Sequence, residues 1–241
     1  MCTVTFIVRR NGYRLGMNRD EKLSRPTAVP PRKQLVNGHV VVYPSEPSGG
    51  TWIALNDTGA TLALINWYSV EKRVQGNPVT RGEVVKSVCS SVSPDDTETE
   101  LQTLPLKRIN AFRLIGIFPD AKEVIEWRWD LNRLVRKMHP WRAQQWISSG
   151  FDERTAQRMR GKIFREALLE RSAGRLDWLR RLHRSHAPQC GPFSTCMHRT
   201  DAATVSYTEV MATESKTSMS YRTGSPCLHQ PRCVKAQHLA I

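Results

Sequence analysis

The sequence predicts an α+β protein in which helices pack on antiparallel β-sheet. Strand-like segments rich in Thr, Val, Ile and Phe occupy the first quarter of the chain and return near its end, whereas apolar residues at helical spacing recur through its middle. Runs of strands and runs of helices, rather than strict alternation of the two, favour antiparallel sheets over a parallel fold. With 241 residues, 39% of them hydrophobic, the chain can bury its own core, which excludes disorder throughout.

The first quarter is expected to form antiparallel strands. Asn11-Gly12 is a hairpin signal between two of them, and residues 56–59 (Asn-Asp-Thr-Gly) are the turn of a second hairpin. Residues 20–32 contain prolines and are expected to form a loop, because proline donates no hydrogen bond to a sheet. The expected strands are residues 2–9, 13–18, 39–43, 51–55 and 61–66.

The hydrophobic period changes after residue 80. Thr80 and Glu83 have the spacing of a capping box, and the valines that follow form one stripe, which predicts a helix of about three turns. The later elements are expected at 112–118 and 124–129 (strands), 152–172 and 176–186 (helices), and 193–198, 204–209 and 218–221 (strands). Residues 1–222 are therefore expected to form one domain, and residues 223–241, which lose this period, a disordered C-terminal tail.

The chain is strongly basic, with a formal net charge of +14. Residues 128–184 hold fifteen Lys or Arg against six Asp or Glu, next to several tryptophans, and such a stretch could meet phosphates and stack on bases. The charges alternate with an apolar stripe, however, which is typical of a solvated helix face, and no nucleic-acid-binding motif is present. No specific nucleic-acid partner is therefore expected.

The compartment is expected to be the cytoplasm. No apolar run approaches the ~20 residues that span a bilayer, so no transmembrane segment is expected, and residues 3–8 are too short for a secretory signal core. The cysteines are then expected to be reduced thiols.

The late cysteines and histidines could be drawn together as a metal site. Their spacing is not that of a zinc finger or ribbon, in which cysteine pairs lie about two to four residues apart. They are Cys190, Cys196, His198, Cys227, His229 and Cys233. Core packing of a predicted strand explains Cys196 and His198 equally well, so neither a metal nor a cofactor is expected.

The residue with the greatest chemical potential is Cys2. Cytosolic removal of methionine acts when the second residue is small, so Cys2 is expected to become the N-terminus. An N-terminal cysteine carries a thiol nucleophile and an α-amine with a pKa of about 8, which can take the thiol proton directly or through a water. The chemistry also needs a group that fixes the amine, one that favours the thiolate and donors for an oxyanion. The alternative is a small buried strand residue.

Several short segments of the first 90 residues carry a recognisable signature. They are Gly16-Met17-Asn18-Arg19-Asp20-Glu21, Ser24-Arg25-Pro26-Thr27-Ala28, Gly49-Gly50-Thr51-Trp52, Asn56-Asp57-Thr58-Gly59 and Thr80-Arg81-Gly82-Glu83. Together they resemble the NRDE family, the transport and Golgi organisation protein 2-like proteins.

The first strands and residues 54–66 are also similar to the N-terminal-nucleophile hydrolases that cleave conjugated bile acids and penicillin V. That resemblance implies a four-layer αββα sandwich in which the mature cysteine attacks an amide carbonyl. For this chain it implies Cys2 as nucleophile, Asp20 as holder of the cysteine amine or thiol, and Asn66 as oxyanion donor. Arg199 is the implied late arginine of the site.

Two features depart from the hydrolase pattern. The hydrolases usually carry an arginine where this chain has Met17, whereas here Arg19 is adjacent to Asp20. Neighbouring strand residues point to opposite faces, so Arg19 and Asp20 can share one site only at a bulge or a strand end. In place of the hydrolases' mid-chain asparagine, Ser148 or Ser149 is the candidate.

Structural roles are the alternative for several of these residues. Asn18 and Asp20 could cap the turn out of a strand. Arg25 could be a surface residue, and Asn66 could satisfy buried backbone groups.

Two functions remain open at this stage. The first is a cysteine hydrolase that acts on a small, conceivably anionic, non-peptide amide, or an acyltransferase that works through a Cys2 thioester. The second is implied by links of the family to haem mobilisation and membrane lipids: a non-catalytic haem- or lipid-related binding or trafficking protein on the same fold. His139, His183 and His186 are conceivable haem ligands, and nothing in the sequence selects one.

Overall fold

The structure, a computed structural model, describes residues 2–228 and the backbone of residues 235–239. The strands are β1 (Cys2–Arg9), β2 (Gly12–Lys22), β3 (Val29–Val36), β4 (His39–Ser45), β5 (Ile53–Asn56), β6 (Thr61–Asn66), β7 (Phe112–Phe118), β8 (Glu123–Trp129), β9 (Leu134–His139), β10 (Gln144–Ser148), β11 (Ala202–Thr213), β12 (Lys216–Thr223) and β13 (Lys235–Leu239). The helices are α1 (Gly82–Val88), α2 (Pro94–Thr103), α3 (Glu153–Ala167) and α4 (Leu176–Arg184).

The strands form two antiparallel sheets. One has six strands in the order β10-β1-β2-β11-β12-β13, and the other has seven in sequence order from β3 to β9. β1 therefore lies inside its sheet, with β10 on one side and β2 on the other. Among residues 2–228, no helix combines the length and the apolar composition needed to cross a bilayer.

Three hydrophobic clusters mark the interfaces between the layers. Between the sheets, Phe6 and Leu15 of the six-stranded sheet belong to one cluster with Ile53 and Ile115 of the other. A second cluster joins α1 and α2 to the seven-stranded sheet, and a third joins α3 and α4 to Ile7 of β1. Each large side chain buried in this way stabilises the fold by about 1.5–3 kcal/mol. The expected four-layer sandwich of antiparallel sheets flanked by helices is confirmed.

The loop expected at residues 20–32 is shorter than predicted. β2 extends into it and β3 begins at Val29, so that Pro30 and Pro31 lie inside a strand. β3 is an edge strand, where a missing N–H breaks no ladder bond, and its register shifts between Val29 and Arg32. Proline therefore argues against a strand that is paired on both sides, but not against an edge strand such as β3.

The capping box expected at Thr80 and Glu83 is wrong, because the side chain of Thr80 accepts instead from the backbone N–H of Gly82. A capping box does form in the next helix, where Ser93 and Asp96 cap α2 reciprocally. The sequence analysis did not predict α2, because most of its residues are polar and too few face the core to form an apolar stripe.

The strand expected at residues 193–198 is also wrong, since this segment consists of turns with one bridge between His198 and Ala203. Its backbone is bound elsewhere: the N–H of Cys196 donates to the carbonyl of Ser185 at the end of α4. The largely exposed β9 and the short β10 were not predicted.

Residues 223–241, expected to be a disordered tail, include two elements. A 3-10 turn spans Pro226–Leu228, and the backbone of β13 pairs with β12 at the edge of the six-stranded sheet. Residues 229–234 and 240–241 lie outside the described part of the chain.

The outer face of β2 is fixed to α4 by a buried polar network. Asn18 Nδ2 donates to the carbonyls of His183 (2.9 Å) and Thr195 (2.8 Å), so Asn18 Oδ1 accepts from Nδ1–H of His183 (3.0 Å). Nε2 of His183 then accepts the hydroxyl proton of Thr5 at 3.0 Å, which makes the imidazole neutral. Burial, followed by the nearby Arg160 charge, lowers the pKa of His183 to about 3.

This network predicts an acid-sensitive fold. At pH values below the ordinary pKa of histidine, the unfolded chain binds a proton at His183 and the native chain does not. The free energy of unfolding therefore falls as the pH falls. Between about pH 7 and about pH 5 this group alone should lower the free energy of unfolding by about 2 kcal/mol. Urea titrations of wild type and His183→Gln at both pH values test this: the variant should be less stable but lose that part of the pH dependence. Equal slopes would contradict the assignment.

Candidate active site around Cys2

Cys2 begins β1 and lies between two strands that both contribute to its surroundings. It pairs with Ser148 of β10 on one side and Arg19 of β2 on the other. The backbone N–H of Cys2 donates to Ser148 Oγ at 2.9 Å. Of the two serines considered from the sequence, Ser148 is therefore the one in contact with the cysteine, and its partner is the nitrogen that becomes the α-amine when Met1 is removed.

Arg19 lies on the same sheet face as Cys2, since directly paired residues of antiparallel strands point to the same side. Its guanidinium contacts Glu46 at 2.5 Å and Glu21 at 3.2 Å, and it lies 4.4 Å from the ring centroid of Trp52. The Arg19 side chain is only 6% exposed, so two carboxylates and one aromatic face hold a nearly buried cation beside the thiol.

Asp20 points to the opposite face, towards α3. Its carboxylate accepts from the Thr204 hydroxyl at 2.6 Å and pairs with Arg160 at 3.2 Å, and both side chains of this ion pair are fully buried. The Arg160 guanidinium also donates to Thr3 Oγ1 at 2.7 Å. The bulge needed to bring Arg19 and Asp20 to one face lies on the neighbouring β11, between Thr204 and Ser206, and not on β2.

The backbone of Asp20, unlike its carboxylate, reaches the thiol. Burial raises the pKa of the Cys2 thiol, and the Asp20 carboxylate adds to that increase. The Arg19 guanidinium and a hydrogen bond from the Asp20 backbone act in the opposite direction and favour the thiolate. The strand pair β1–β2 thus supplies both a cation and a backbone donor to Cys2.

Arg81 is a further cation at this site that sequence reasoning did not select. It precedes α1, and its guanidinium donates to the carbonyl of Ala111 at 3.2 Å. Burial lowers the pKa of Arg81, and interactions with Tyr68, Glu21 and Cys2 counter part of that decrease. Arg81 belongs to one of the family-like segments, Thr80-Arg81-Gly82-Glu83, and this is the signal that could have found it.

Asn66 and Arg199 are held by other partners. Asn66 Nδ2, at the end of β6, donates to the Tyr68 hydroxyl at 2.8 Å. Arg199 pairs with Asp201 at 2.7 Å and lies 5.0 Å from the ring centroid of Phe151. Their contribution to chemistry at Cys2 stays a prediction.

A cavity of about 360 Å³ adjoins the site where β2 ends and β11 begins. Its volume falls within the range of about 300–1,000 Å³ that small-molecule pockets occupy. Arg19, Glu21 and Arg25 line it together with Thr204. Cys2 is 6% exposed, and Arg19, its partner across the strand ladder, joins the cysteine to the cavity wall.

The sequence of residues 1–128 matches the family described as Transport and Golgi organisation 2. This match covers more than half of the 241 residues. The chain belongs to this family. The NRDE resemblance of the first 90 residues is therefore confirmed. No curated protein is significantly similar to the chain in sequence.

Solved structures with the same fold extend the comparison beyond the family. A cysteine-to-alanine variant of conjugated bile acid hydrolase from Clostridium perfringens is 10% identical with a TM-score of 0.54, over 98% of this chain and 92% of that one. Penicillin V acylase from Agrobacterium tumefaciens is 9% identical with a TM-score of 0.56, over 100% and 86%. The Caenorhabditis elegans orthologue of N-acylethanolamine-hydrolyzing acid amidase is 11% identical with a TM-score of 0.55, over 87% and 92%. The Transport and Golgi organisation 2 chain thus has the N-terminal-nucleophile hydrolase fold.

Replacing Arg19 should make the Cys2 thiol less acidic. Because the Arg19 cation lowers the thiol pKa, Arg19→Gln should shift the pH profile of Cys2 alkylation by iodoacetamide to higher pH and slow the reaction about three- to tenfold near neutrality. Mass spectrometry of the Cys2 peptide gives the rates.

Arg25→Gln is the matched control, because Arg25 contacts the same two carboxylates, Glu21 and Glu46, from an exposed position. Its profile should superimpose on that of wild type. Identical profiles for Arg19→Gln and wild type would show that Arg19 does not act on the thiol.

Proposed function

We propose that this protein is an N-terminal-nucleophile amidohydrolase or acyltransferase that forms a thioester on Cys2. The observation that carries the proposal is the placement of Cys2 at the start of an interior strand. There its nitrogen is bonded to Ser148, and Arg19 with the Asp20 backbone surrounds its sulfur. A cysteine that only filled space in a core would need neither a cation nor a hydroxyl beside it.

The first step is the loss of Met1, which frees the Cys2 α-amine. In its neutral form this amine takes the thiol proton, and the thiolate attacks the carbonyl carbon of a small, non-peptide amide. The tetrahedral intermediate collapses when the C–N bond breaks, and the leaving nitrogen takes the proton from the α-ammonium. Cys2 is left as a thioester, which water hydrolyses to a carboxylate or an acceptor nucleophile converts to a new acyl product.

Ser148 and Arg19 have separate tasks in this scheme. The Ser148 hydroxyl holds the α-amine in place through the 2.9 Å contact with the Cys2 nitrogen. Arg19 stabilises the thiolate that the amine creates. Asp20 acts on the amine or thiol through its backbone and its buried charge, while its carboxylate fixes β2 to α3.

Asn66 and Arg199 complete the scheme as substrate-facing groups. The Asn66 amide is the proposed oxyanion donor, which requires it to exchange the Tyr68 hydroxyl for the substrate oxygen. Arg199 is the proposed late arginine and would leave Asp201 for an anionic part of the substrate.

Carriage of an anionic ligand is the second candidate, and a different cavity favours it. This cavity, of about 520 Å³, lies beside β10 and α3 and is lined by Arg113, Arg128 and Arg165 together with Trp67 and Trp146. Cations and aromatic rings suit an anionic, flat ligand such as haem.

Two of the three histidines considered as haem ligands are already engaged, and the third, His186, does not line this cavity. His139 contacts Glu126 at 2.7 Å, and His183 uses both ring nitrogens in the Asn18 network. Haem carriage would therefore depend on the arginines, and Arg113 and Arg128 would have to exchange Glu126 for the ligand.

Intact mass and a Cys2-directed trapping experiment test the catalytic proposal. The purified protein should lack Met1. After incubation with a conjugated bile acid, penicillin V or an N-acylethanolamine and an acid quench, the Cys2 peptide should carry the acyl mass. Cys2→Ala should remove this adduct and lower turnover at least about a thousandfold, whereas Cys190→Ala, which changes an exposed cysteine, should keep both.

Retention of Met1 would contradict the use of the amine as base. Equal turnover by wild type and Cys2→Ala would contradict the thioester. If haem binding persists in Cys2→Ala but falls in Arg113→Gln and Arg165→Gln, while no amide is cleaved, the carrier function replaces the catalytic one.

A further inference from the structure

Four side chains from three separate segments converge on one point outside the Cys2 site. They are His186, Cys196, His198 and Cys227, and their ligand atoms all lie within 4.8 Å of one another. His186 follows the end of α4, Cys196 and His198 lie in the turns before β11, and Cys227 lies in the 3-10 turn Pro226–Leu228. The late cysteines and histidines considered from the sequence include Cys196, His198 and Cys227 but not His186, which lies 41 positions before Cys227.

The spacing of the ligand atoms matches a tetrahedral ion. Cys196 Sγ lies 3.6 Å from Nε2 of His198, and Cys227 Sγ lies 3.3 Å from the same nitrogen. Zn–S bonds of about 2.3 Å and Zn–N bonds of about 2.0–2.1 Å at tetrahedral angles place sulfur and nitrogen about 3.6 Å apart. One ion could therefore bind all four groups with small adjustments of their side chains.

One buried nitrogen atom of the cluster has no hydrogen-bond partner among the described residues. This atom is Nε2 of His186, which is inaccessible to solvent. The His186 ring meets that of His198 at 5.0 Å between centroids, nearly perpendicular. A buried imidazole nitrogen without a partner is costly, and a bound cation would satisfy it.

The backbone around the cluster is already fixed. The backbone N–H of Cys196 donates to the carbonyl of Ser185 (3.0 Å). The backbone N–H of His198 donates to the carbonyl of Gly191 (3.2 Å). The hydroxyl of Ser194 donates to the carbonyl of Cys196 at 2.6 Å. Two of the four ligands, Cys196 and His198, thus come from a preorganised loop, which lowers the cost of binding an ion.

We propose that His186, Cys196, His198 and Cys227 bind one Zn²⁺ in a closed, structural Cys2His2 site. Two thiolates and two imidazoles are the ligand set that Zn²⁺ prefers in structural sites, and four protein ligands leave no open position for catalysis. Cys190 lies in the same loop but is exposed and outside the cluster.

The ion would connect the 3-10 turn Pro226–Leu228 to the Asp20 side of the Cys2 site. Within the turns that carry two of the ligands, the N–H of Met197 donates to Thr204 Oγ1 at 2.8 Å. The same hydroxyl donates to Asp20 at 2.6 Å. Zinc would therefore hold the 3-10 turn against α4 and steady the residue that positions Asp20.

Metal content and a cobalt spectrum test the site. The full chain, expressed with added zinc and purified under reducing conditions, should contain about one zinc per molecule by elemental mass spectrometry. Replacement by Co²⁺ should give the thiolate charge-transfer and intense d–d bands of a tetrahedral Cys2His2 centre. This spectrum of the wild type does not depend on whether any variant folds.

The variants assign the ligands. His186→Ala, Cys196→Ser and Cys227→Ser should each lower zinc occupancy at least about tenfold, whereas Cys190→Ser, which changes an exposed cysteine outside the cluster, should keep it. Cys2→Ala should also keep it, so the site is tested independently of the proposed catalysis. Circular dichroism confirms which variants fold.

Two metal measurements and one redox result would each overturn the proposal. One is a reduced wild-type chain that stays free of stoichiometric zinc after incubation with ZnCl2. The other is zinc that Cys196→Ser and Cys227→Ser retain in folded form. A Cys196–Cys227 disulfide as the state recovered under reducing purification would replace the metal by a covalent link and equally overturn it.

Discussion

The buried ion pair between Asp20 and Arg160 is the interaction on which the site depends most. Two fully buried charges are costly to remove from water, and they persist only when each satisfies the other in fixed geometry. Arg160 reaches from α3 through the outer layer, so the pair fixes the register of β2 against this helix. Once that register is fixed, strand alternation places Arg19 on the inner face, opposite Cys2.

The same alternation gives the residues of the family motif in β2 two roles, according to the sheet face on which each side chain lies. On the outer face, Gly16 leaves room for the His183 ring, since a Cβ there would lie 2.9 Å from Nε2, and Asn18 binds the backbone of α4. On the inner face, Arg19 acts on the thiol and is itself held by Glu21. One short strand therefore assembles the scaffold with alternate residues and the candidate chemistry with the others.

The sequence predicted the local part of this arrangement and missed the part that depends on distant contacts. Composition and hairpin signals located β1 and β2, and the motif pointed to Cys2, Arg19 and Asp20. Arg160, the partner of Asp20, was not predicted, because a charged residue on a helix is normally assigned to its exposed face. Its spacing of four residues from the buried Ala156 and Phe164 was the one signal that could have placed Arg160 on the buried face. Spacing likewise could not add His186 to the late cysteines and histidines, because only tertiary structure brings it to them.

A double-mutant cycle on Asp20 and Arg160 tests the central claim most directly. Asp20→Asn, Arg160→Met and the double variant would be unfolded in urea alongside wild type. Each single variant leaves a buried polar group without its partner, so we expect each to lose about 3–5 kcal/mol and the pair to show a coupling free energy of at least about 2 kcal/mol. Losses that add within about 0.5 kcal/mol would contradict the account, because they would show that the two charges act independently.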